Sequence, residues 1–327
     1  MKVLVTGASG MYGAAVARAL AARGDEVTVF QRRPAGLDGC REVLGDVTDG
    51  AAVATAMAGQ DAVVHLAALV SVVGDGATFD RVNIGGTTNV LAAASHAGVG
   101  RVVHVSTPSV AHHGDALVGA SAGPADPDRV RGHYARSKAA AELLALAADR
   151  DGLAVVAIRP HLVWGPGDTQ LIGRIVERAR AGRLAVIDRG AALIDTTYVD
   201  NAVDATVAAL DRADHDEVHG RAFVVSNGEP RTVRELLIRI CAAAGVPPPT
   251  RHVPFRVAWA GGAVAEALWQ RLGRTDDPPM TAFLAEQLAT AHWFDQRETR
   301  EALDWRPRVP LDDGFVRLAA AAASDQR

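Results

Sequence analysis

Two residues with acid–base chemistry, Tyr134 and Lys138, lie four positions apart in the run YARSK, which places both side chains on one face of a helix. An isolated tyrosine hydroxyl has a pKa of about 10 and exchanges protons poorly at neutral pH. A neighbouring ammonium stabilises the phenolate and brings that pKa toward the working range. The chain contains only 3 tyrosines, so a chance pairing is less frequent here. We interpret the two residues as a catalytic acid–base pair.

A cluster of hydroxyl side chains precedes this pair in the run VVHVSTPSV, where Ser106, Thr107 and Ser109 follow an apolar stretch. A hydroxyl at that place can donate a hydrogen bond to a carbonyl oxygen that gains negative charge during a reaction. A hydroxyl-rich turn that ends a strand would explain any one of these residues as well. The run therefore indicates an oxygen-binding role without deciding which of the three side chains fulfils it.

Three glycines, Gly7, Gly10 and Gly13, lie in the run KVLVTGASGMYG, between a short apolar stretch and an alanine-rich one. In a strand–turn–helix unit, the backbone N–H groups of such a turn and the amino end of the helix bind an anionic pyrophosphate. A tight turn without a ligand is the alternative, because glycine is frequent in this chain. The position in the first strand–turn–helix unit, with a second strand directly after it, favours a dinucleotide site.

The residues that end the second predicted strand indicate which dinucleotide binds. An acidic residue there accepts hydrogen bonds from the ribose 2′-hydroxyl, whereas arginine pairs with a 2′-phosphate. Gln31 occupies the usual position of the acid, and Arg32 and Arg33 follow it, so we expect NADP(H) rather than NAD(H). The alternative is that Arg32 and Arg33 are ordinary surface residues and that Gln31 favours neither cofactor. After the third strand, Asp46 suits a hydrogen bond to the adenine amino group, with helix capping as its alternative role.

The elements that must position these residues alternate along the first half of the chain. Strands are predicted over 2–6, 27–31, 41–44, 61–66, 101–105, 153–158 and 222–225, and helices over 12–23, 50–58, 79–97, 132–150 and 170–181. Alternation at this spacing predicts an α/β fold, with a doubly wound parallel sheet and helices on both faces. Ligands of such sheets bind beyond the carboxyl ends of the strands, where the polar residues described above are found.

After about residue 160 the alternation loosens, and runs rich in proline and glycine separate short helices. We predict a dinucleotide-binding domain over 1–160 and 196–227, and a smaller, mostly helical substrate lobe over 161–195 and 228–318. Four of the 5 tryptophans lie beyond residue 250: Trp259, Trp269, Trp293 and Trp305. They suit an ordinary core or a subunit interface, or else an apolar substrate pocket. Contact of this region with a membrane surface is disfavoured, because its polar face carries few cations.

Composition argues against several other classes of protein. The net charge is −4, and the arginines of residues 174–183 are accompanied by Glu177 and Asp188, so no nucleic-acid partner is expected. No apolar run approaches the ~20 residues of a membrane span, and Met1 leads directly into the first strand, so no secretory signal is expected. Cys40 and Cys241 are isolated, and the histidines lack ligand spacing. We expect a reduced, cytoplasmic protein without a metal ion.

The runs TGASGMYG, LGDVTD, HLAA, VNIGGTTNVL, VSTPSV, YARSK, RPHLVWGPGD and TYVDNAVDA occur in the order typical of extended short-chain dehydrogenases/reductases, which the chain resembles from residue 2 to about 310. The resemblance implies a Rossmann fold with Thr107 as the catalytic hydroxyl beside Tyr134 and Lys138. It also implies cofactor contacts at Gly7, Ser9, Gly10, Met11, Tyr12, Gly13, Gln31, Arg32, Arg33, Asp46, Val47, Ala67, Ala68, Tyr134, Lys138, Pro160 and Val163. Pro108 and Trp164 depart from the family pattern, but neither removes a catalytic group.

Within this family, the apolar C-terminal region is similar to the 3β-hydroxysteroid dehydrogenase-like branch, and STPSV with RPHLVWGPGD resembles bacterial 2-alkyl-3-oxoalkanoate reductases. The resemblance implies NADPH-dependent reduction of a hydrophobic β-keto acid, a structural role for Asn83 and a homodimer. A sterol 3β-dehydrogenase that prefers NAD is the alternative within the same fold. A nucleotide-sugar epimerase or dehydratase is a further alternative, which is disfavoured because this chain has no evident extra acid–base residue near Thr107. A cofactor-binding sensor without turnover would not need the catalytic residues.

Overall fold

The computed structural model describes residues 1–71, 74–272, 274, 278 and 280–324. Its strands are β1 Lys2–Thr6, β2 Glu26–Gln31, β3 Cys40–Leu44, β4 Ala62–His65, β5 Arg101–Val105, β6 Leu117–Ala120, β7 Ala154–Pro160, β8 Val163–Trp164, β9 Ala185–Ile187, β10 Leu193–Ile194, β11 Thr197–Tyr198, β12 Ala222–Val225, β13 Arg231–Thr232, β14 Arg251–Val253 and β15 His292–Phe294. Its α-helices are α1 Met11–Ala22, α2 Gly50–Met57, α3 Gly76–Phe79, α4 Gly86–Ala97, α5 His133–Ala147, α6 Ile172–Arg180, α7 Val199–Asp211, α8 Val233–Ala243, α9 Phe255–Arg271, α10 Ala282–Ala289, α11 Arg297–Ala302 and α12 Leu311–Ser324.

Within the described residues, seven parallel strands form the main sheet in the order β3-β2-β1-β4-β5-β7-β12. The chain builds outward from β1 through β2 and β3, and then crosses back to place β4 on the other side of β1. The strand order therefore reverses between β1 and β4, which is where dinucleotides bind in doubly wound sheets. The predicted α/β class is confirmed, including the return of residues 222–225 to this sheet.

Successive strand residues pack into two apolar layers, one on each face of the sheet. Val3 and Val5 of β1 belong to the layer that also contains residues of α1 and α7, whereas Leu4 belongs to the layer with residues of α2 and α4. Burying a valine or leucine side chain completely contributes about 1.5–3 kcal/mol. The sheet is thus held from both sides, and the loops at its carboxyl edge start from fixed strand ends.

The single helix predicted over 79–97 is divided in the structure. Helix α3 ends at Phe79, a π-helical turn covers Asp80–Gly85, and α4 begins at Gly86. Asn83 is buried within this turn. Its side-chain amide accepts a hydrogen bond from the backbone N–H of Leu69 and donates one to the carbonyl oxygen of the same residue. Apolar periodicity does not report a change of helical pitch confined to one turn, which is why the sequence alone did not indicate it.

A second, four-stranded sheet has the order β13-β10-β15-β6. Strand β6 comes from the segment predicted for the dinucleotide-binding domain, but it pairs with β15 from the C-terminal region. Beyond β13 the chain is mainly helical, from α8 to α12, as predicted. Strand β6 therefore ties the segment that follows β5 to the C-terminal region.

Candidate active site

Two of the three loop glycines are required by close backbone contacts. Gly7 has a φ of +80°, and a Cβ there would lie 2.8 Å from the backbone of Ala67. A Cβ on Gly13 would collide with the carbonyl oxygen of Gly7. Any side chain at either position would push the loop away from the end of β4. Gly7 and Gly13 therefore hold the loop tightly between β1 and α1.

Gly10 is different, because no described neighbour prevents a side chain there. A Cβ on Gly10 would meet only the carbonyl oxygen of Gly7, at 3.9 Å, and its φ of −89° suits any residue. Gly10 directly precedes α1, and among the described residues no side chain caps that helix and no acid lies in its first turn. Open space beside uncapped N–H groups fits the phosphates of a dinucleotide. Ser9 and Gly10 are both exposed.

Tyr12, one of the expected cofactor contacts, packs its side chain between two helices. Its hydroxyl lies 2.5 Å from the Thr206 hydroxyl and donates to the carbonyl oxygen of Ala202 at 3.1 Å. Burial raises the pKa of Tyr12 well above its usual range. The side chain joins α1 to α7, so only the backbone of Tyr12 contributes to the glycine loop. Met11 is half-buried against the same apolar layer.

The carboxyl end of β2 carries the residues expected to select the cofactor. Nε2 of buried Gln31 donates to Glu42 on β3 at 2.9 Å, and its Oε1 has no hydrogen-bond partner among the described residues. Arg32 and Arg33 are exposed. The amide of Gln31 is thus fixed by the neighbouring strand, while two guanidinium groups bring positive charge to the same strand end.

Asp46 follows β3 and is held as a carboxylate. The backbone N–H and the hydroxyl of Thr48 both donate to its Oδ1 at 2.9 Å. The backbone hydrogen bond is the main cause that holds the pKa of Asp46 below its usual value, and the nearby charge of Arg32 adds to it. Asp49 caps α2 through two backbone N–H groups, so that role does not fall to Asp46. Val47 is buried beside the start of α4.

Thr107 and Tyr134 come together beyond the carboxyl end of β5. Tyr134 lies in the first turn of α5, close enough to the Thr107 side chain for the two to interact. Burial raises the pKa of Tyr134 to about 12, although the neighbouring Thr107 side chain opposes that rise. The Ser109 hydroxyl lies 3.3 Å from that of Thr107, whereas the Ser106 hydroxyl is buried without a described partner. Of the three hydroxyls, Thr107 is the one described in contact with the tyrosine.

Lys138 lies one turn further along α5, and only 4% of it is exposed. Its Nζ donates to the carbonyl oxygen of Val105 at 2.7 Å and lies 3.5 Å from Nε2 of His104. Burial lowers the pKa of Lys138 to about 8, while the carboxylate of Glu142 raises it. The two contacts with β5 fix the ammonium at the end of that strand, below the turn that carries Thr107.

A buried ion pair beside Lys138 was not foreseen from the sequence. Arg159 on β7 donates through Nε to Glu142 at 2.8 Å and through Nη2 to the second carboxylate oxygen at 2.5 Å. Arg159 also donates to the carbonyl oxygens of Ala122 and Gly123. The pair connects β7, α5 and the segment before α5. Its signal was the position of Glu142, four residues after Lys138 on the same helix face.

Asn83 connects the loop after β4 to α5. Its Oδ1 accepts from the Leu69 N–H at 2.7 Å, and its Nδ2 donates to the Ser137 hydroxyl at 2.9 Å. Ser137 in turn donates to the carbonyl oxygen of Tyr134 at 3.0 Å. The contacts of Asn83 are those of a structural residue that supports the tyrosine.

The remaining expected cofactor contacts follow the ends of β4 and β7. The Ala67 N–H donates to Thr6 Oγ1 at 3.2 Å, and Ala68 lies half-buried beside it. Pro160 is the buried last residue of β7, and Val163 begins β8. These residues lie at the sheet edge that carries the glycine loop, as the doubly wound topology requires. Their contacts with a cofactor stay predictions.

Comparison with known proteins identifies the family. A model described as the NAD dependent epimerase/dehydratase family matches residues 3–226. The chain belongs to this family. It is 41% identical over 331 residues to the 2-alkyl-3-oxoalkanoate reductase of Stenotrophomonas maltophilia, which covers 99% of this chain and 100% of that protein. It is 32% identical over 324 residues to a 3 beta-hydroxysteroid dehydrogenase/Delta 5-->4-isomerase of Mycobacterium tuberculosis, covering 94% of this chain and 86% of that protein.

Solved structures of the family have the same fold. One is the DesIV double mutant, a dTDP-glucose 4,6-dehydratase from Streptomyces venezuelae with NAD and DAU bound. It superposes with a TM-score of 0.77 at 26% identity and covers 100% of this chain and 98% of that one. The expected extended short-chain dehydrogenase/reductase membership is confirmed, and the chain is an NAD(P)-dependent oxidoreductase. Among the described helices, none has the length and apolar character needed to cross a membrane.

Proposed function

We propose that this protein is an NADP(H)-dependent reductase that converts a hydrophobic 3-oxo substrate, of the 2-alkyl-3-oxoalkanoate class, to the 3-hydroxy product. The observation that carries the proposal is the contact of Thr107 with Tyr134, on the helix that also presents Lys138 at the carboxyl edge of the sheet. The substrate class rests on the 41% identity to a 2-alkyl-3-oxoalkanoate reductase over the full chain.

The three side chains divide the work of carbonyl reduction. A nicotinamide cofactor, when bound beside them, would supply the hydride that the carbonyl carbon needs. Tyr134, whose pKa is raised to about 12, keeps its proton at neutral pH and donates it from Oη to the substrate oxygen. Thr107 donates to the same oxygen as negative charge develops there. The Lys138 ammonium stabilises the phenolate that remains, and directs an N–H toward the ribose hydroxyls.

The cofactor is held by backbone groups at one end and by charge at the other. The open space at Gly10 and the uncapped end of α1 fit the pyrophosphate. Exposed Arg32 and Arg33 pair with a ribose 2′-phosphate, and Gln31 adds no repelling carboxylate. We therefore assign the preference to NADP(H) over NAD(H).

The first experiment compares the oxidation of NADPH and NADH by a long-chain 2-alkyl-3-oxo acid, in the wild type and in an Arg32→Ala/Arg33→Ala variant. We expect the wild type to prefer NADPH. The variant should raise the KM for NADPH at least about 100-fold, since it removes two charged hydrogen bonds that contribute about 1.5–3 kcal/mol each, and should leave NADH turnover unchanged. Arg306→Ala, which removes an exposed arginine of the C-terminal region, is the matched control. A wild type that prefers NADH would contradict the cofactor assignment.

A sterol 3β-hydroxy dehydrogenase is the second candidate, because a named 3β-hydroxysteroid dehydrogenase is 32% identical over 94% of the chain. It uses the same three residues in the oxidative direction. NAD-dependent oxidation of a sterol 3β-alcohol, without turnover of the 3-oxo acid, would select it. Cofactor binding without turnover on either substrate would indicate a sensor, and we disfavour it because binding alone needs neither Thr107 nor Tyr134.

We further propose that the protein is a homodimer in a reducing compartment such as the cytoplasm. Cys40 and Cys241 are free thiols. Helix α5 exposes two leucines, Leu143 and Leu144, on the side away from its buried face, and a helical interface is common in this family. The dinucleotide-binding domain over 1–160 and 196–227 and the substrate lobe over 161–195 and 228–318 are part of this proposal.

A further inference from the structure

Two histidines that the mechanism does not use lie side by side at the end of the central strands. His65 on β4 and His104 on β5 are register partners, and their ring centroids are 5.6 Å apart. Both are almost completely buried, with 2% and 1% exposed. Although their surroundings are so similar, their hydrogen bonds differ, and the difference shows what each imidazole does.

The imidazole of His65 is fully satisfied. Its Nδ1 lies 2.7 Å from the Thr6 hydroxyl, and its Nε2 lies 3.1 Å from the Thr87 hydroxyl. Thr87 donates its own proton to the carbonyl oxygen of Asn83 at 2.7 Å, so His65 donates from Nε2 and accepts at Nδ1. Each ring nitrogen has a partner, as expected for a histidine that contributes to folding.

The imidazole of His104 is only half satisfied. Its Nε2 lies 3.5 Å from Nζ of Lys138, and its Nδ1 has no hydrogen-bond partner among the described residues. An ammonium can only donate, so Nε2 accepts and the ring proton sits on Nδ1. A buried donor without an acceptor makes the fold less stable than an apolar side chain of similar shape would. Folding stability therefore does not explain this imidazole.

We propose that His104 is a positioning residue for proton transfer, whose Nε2 accepts from Lys138 and, together with the carbonyl oxygen of Val105, fixes the ammonium beneath Tyr134. Two neutral acceptors on β5 orient two of the three N–H bonds of Lys138. The third N–H would then be available to a ribose hydroxyl of the cofactor. This inference rests on the proposed function, because it takes Lys138 and Tyr134 as the acid–base pair.

The other charged groups around Lys138 have partners of their own. The carboxylate of Glu142 is bound by Arg159, and Asp80, on the π-helical turn that packs against α5, is paired with Arg136. Glu142 still raises the pKa of Lys138, which burial lowers to about 8. No other described carboxylate is recorded as raising it.

The two imidazoles stay neutral in the working pH range. Burial, assisted by the charge of Lys138, lowers the pKa of His65 to about 3 and that of His104 well below its usual range. His104 therefore acts as a neutral acceptor that stabilises the charged form of Lys138. Lys138 carries its charge below about pH 8 and loses it as the pH rises. Removal of the acceptor destabilises the charged form, so that Lys138 should lose its charge at a lower pH.

The test compares His104→Leu, His104→Gln and His65→Leu with the wild type, using NADPH and a long-chain 2-alkyl-3-oxo acid. For His104→Leu we expect an unchanged or higher Tm, a kcat about tenfold lower, a nearly constant KM for the acid, and an alkaline limb of the pH profile that begins at least about half a pH unit lower. His104→Gln should restore much of the rate, because its amide oxygen can accept at the position of Nε2.

His65→Leu is the matched control on the neighbouring strand. It removes a satisfied imidazole and should lower the Tm, while the position of the alkaline limb stays as in the wild type. The inference is wrong if His104→Leu keeps the wild-type kcat and pH profile, or if it lowers the Tm as His65→Leu does without moving the limb.

A second readout does not depend on turnover. Because Lys138 would hold the ribose, the affinity for NADPH, followed by its fluorescence, should weaken with rising pH, and in His104→Leu it should do so at lower pH. Tyr134→Phe is run beside these variants. If Tyr134→Phe loses turnover and His104→Leu keeps it, only the inference about His104 fails. If Tyr134→Phe keeps full turnover, the proposed mechanism itself fails.

Discussion

The carboxyl edge of the main sheet and helix α9 differ in which side chains they bury and which they expose. At the edge, the charged groups of Lys138, Glu142 and Arg159 are buried, and each has hydrogen-bond partners. On α9, by contrast, apolar side chains are exposed, with 69% of Val264 and 47% of Leu268 open to solvent. Burying a charge is unfavourable unless partners offset it, so each group at the edge is confined to one position. An exposed apolar side chain contributes little to folding and is not confined in this way.

The opposite face of α9 explains how the helix is held. A Cβ on Gly262 would collide with the backbone of Thr281, so α9 approaches the start of α10 very closely at that point. Buried Ala258 and Ala285 belong to the small apolar cluster between the two helices. The comparison shows that the candidate catalytic residues lie at the carboxyl edge of the sheet, where the buried charged groups are held in place by hydrogen bonds. Helix α9 packs one face against α10 and leaves its other face exposed to solvent.

The largest effect should come from the fixed edge. Tyr134→Phe removes the proton donor while keeping the ring, so we expect kcat to fall about 10²–10⁴-fold with little change in Tm. Steady-state kinetics with NADPH and thermal unfolding check both parts. Tyr198→Phe is the control, because Tyr198 lies in β11, outside the catalytic contacts, and the same hydroxyl is removed there from a buried ring. A Tyr134→Phe enzyme with more than a tenth of the wild-type kcat would remove the contrast between the two regions.

The second-largest effect should distinguish two glycines of the glycine loop, Gly13 and Gly10. Gly13→Ala should lower the free energy of unfolding by about 3 kcal/mol or prevent folding, because the new methyl collides with backbone. Gly10→Ala should change stability by less than about 1 kcal/mol, but it should weaken NADPH binding at least about tenfold, since the methyl fills the space for the phosphates. Thermal unfolding and fluorescence titration measure the two quantities. Gly10→Ala with wild-type NADPH affinity would show that the phosphates lie elsewhere.

The smallest effect is expected on α9. Leu268→Ala should change the free energy of unfolding by less than about 0.5 kcal/mol, because its side chain is half exposed. Leu20→Ala, the matched change in the core, should lower it by about 2–5 kcal/mol, because Leu20 is 0% exposed. Urea unfolding at constant m-value compares them. A loss of about 2 kcal/mol for Leu268→Ala would mean that the exposed face of α9 is covered in solution.

The parts of the site that could be predicted depend on local spacing. Tyr134 and Lys138 are neighbours on any helix, and Gly7, Gly10 and Gly13 mark a strand–turn–helix turn wherever it is placed. The choice among Ser106, Thr107 and Ser109 could not be made from the residues alone, and needed the family resemblance. In the structure, α5 packs against β7 and against the turn that follows β5, which brings Thr107 close to Tyr134.

The sequence by itself determined the class of fold, the alternation of strands and helices in the first half of the chain, and the residues that bring acid–base and phosphate-binding chemistry, because these follow from periodicity and backbone preference along a few neighbouring residues. Only the tertiary structure decided that Glu142 meets Arg159, that the side chain of Tyr12 packs against α7, that His104 lacks a second partner and that α9 exposes an apolar face. Those outcomes depend on contacts between residues far apart in the chain. Such contacts are set by how whole elements pack, and local spacing does not report them.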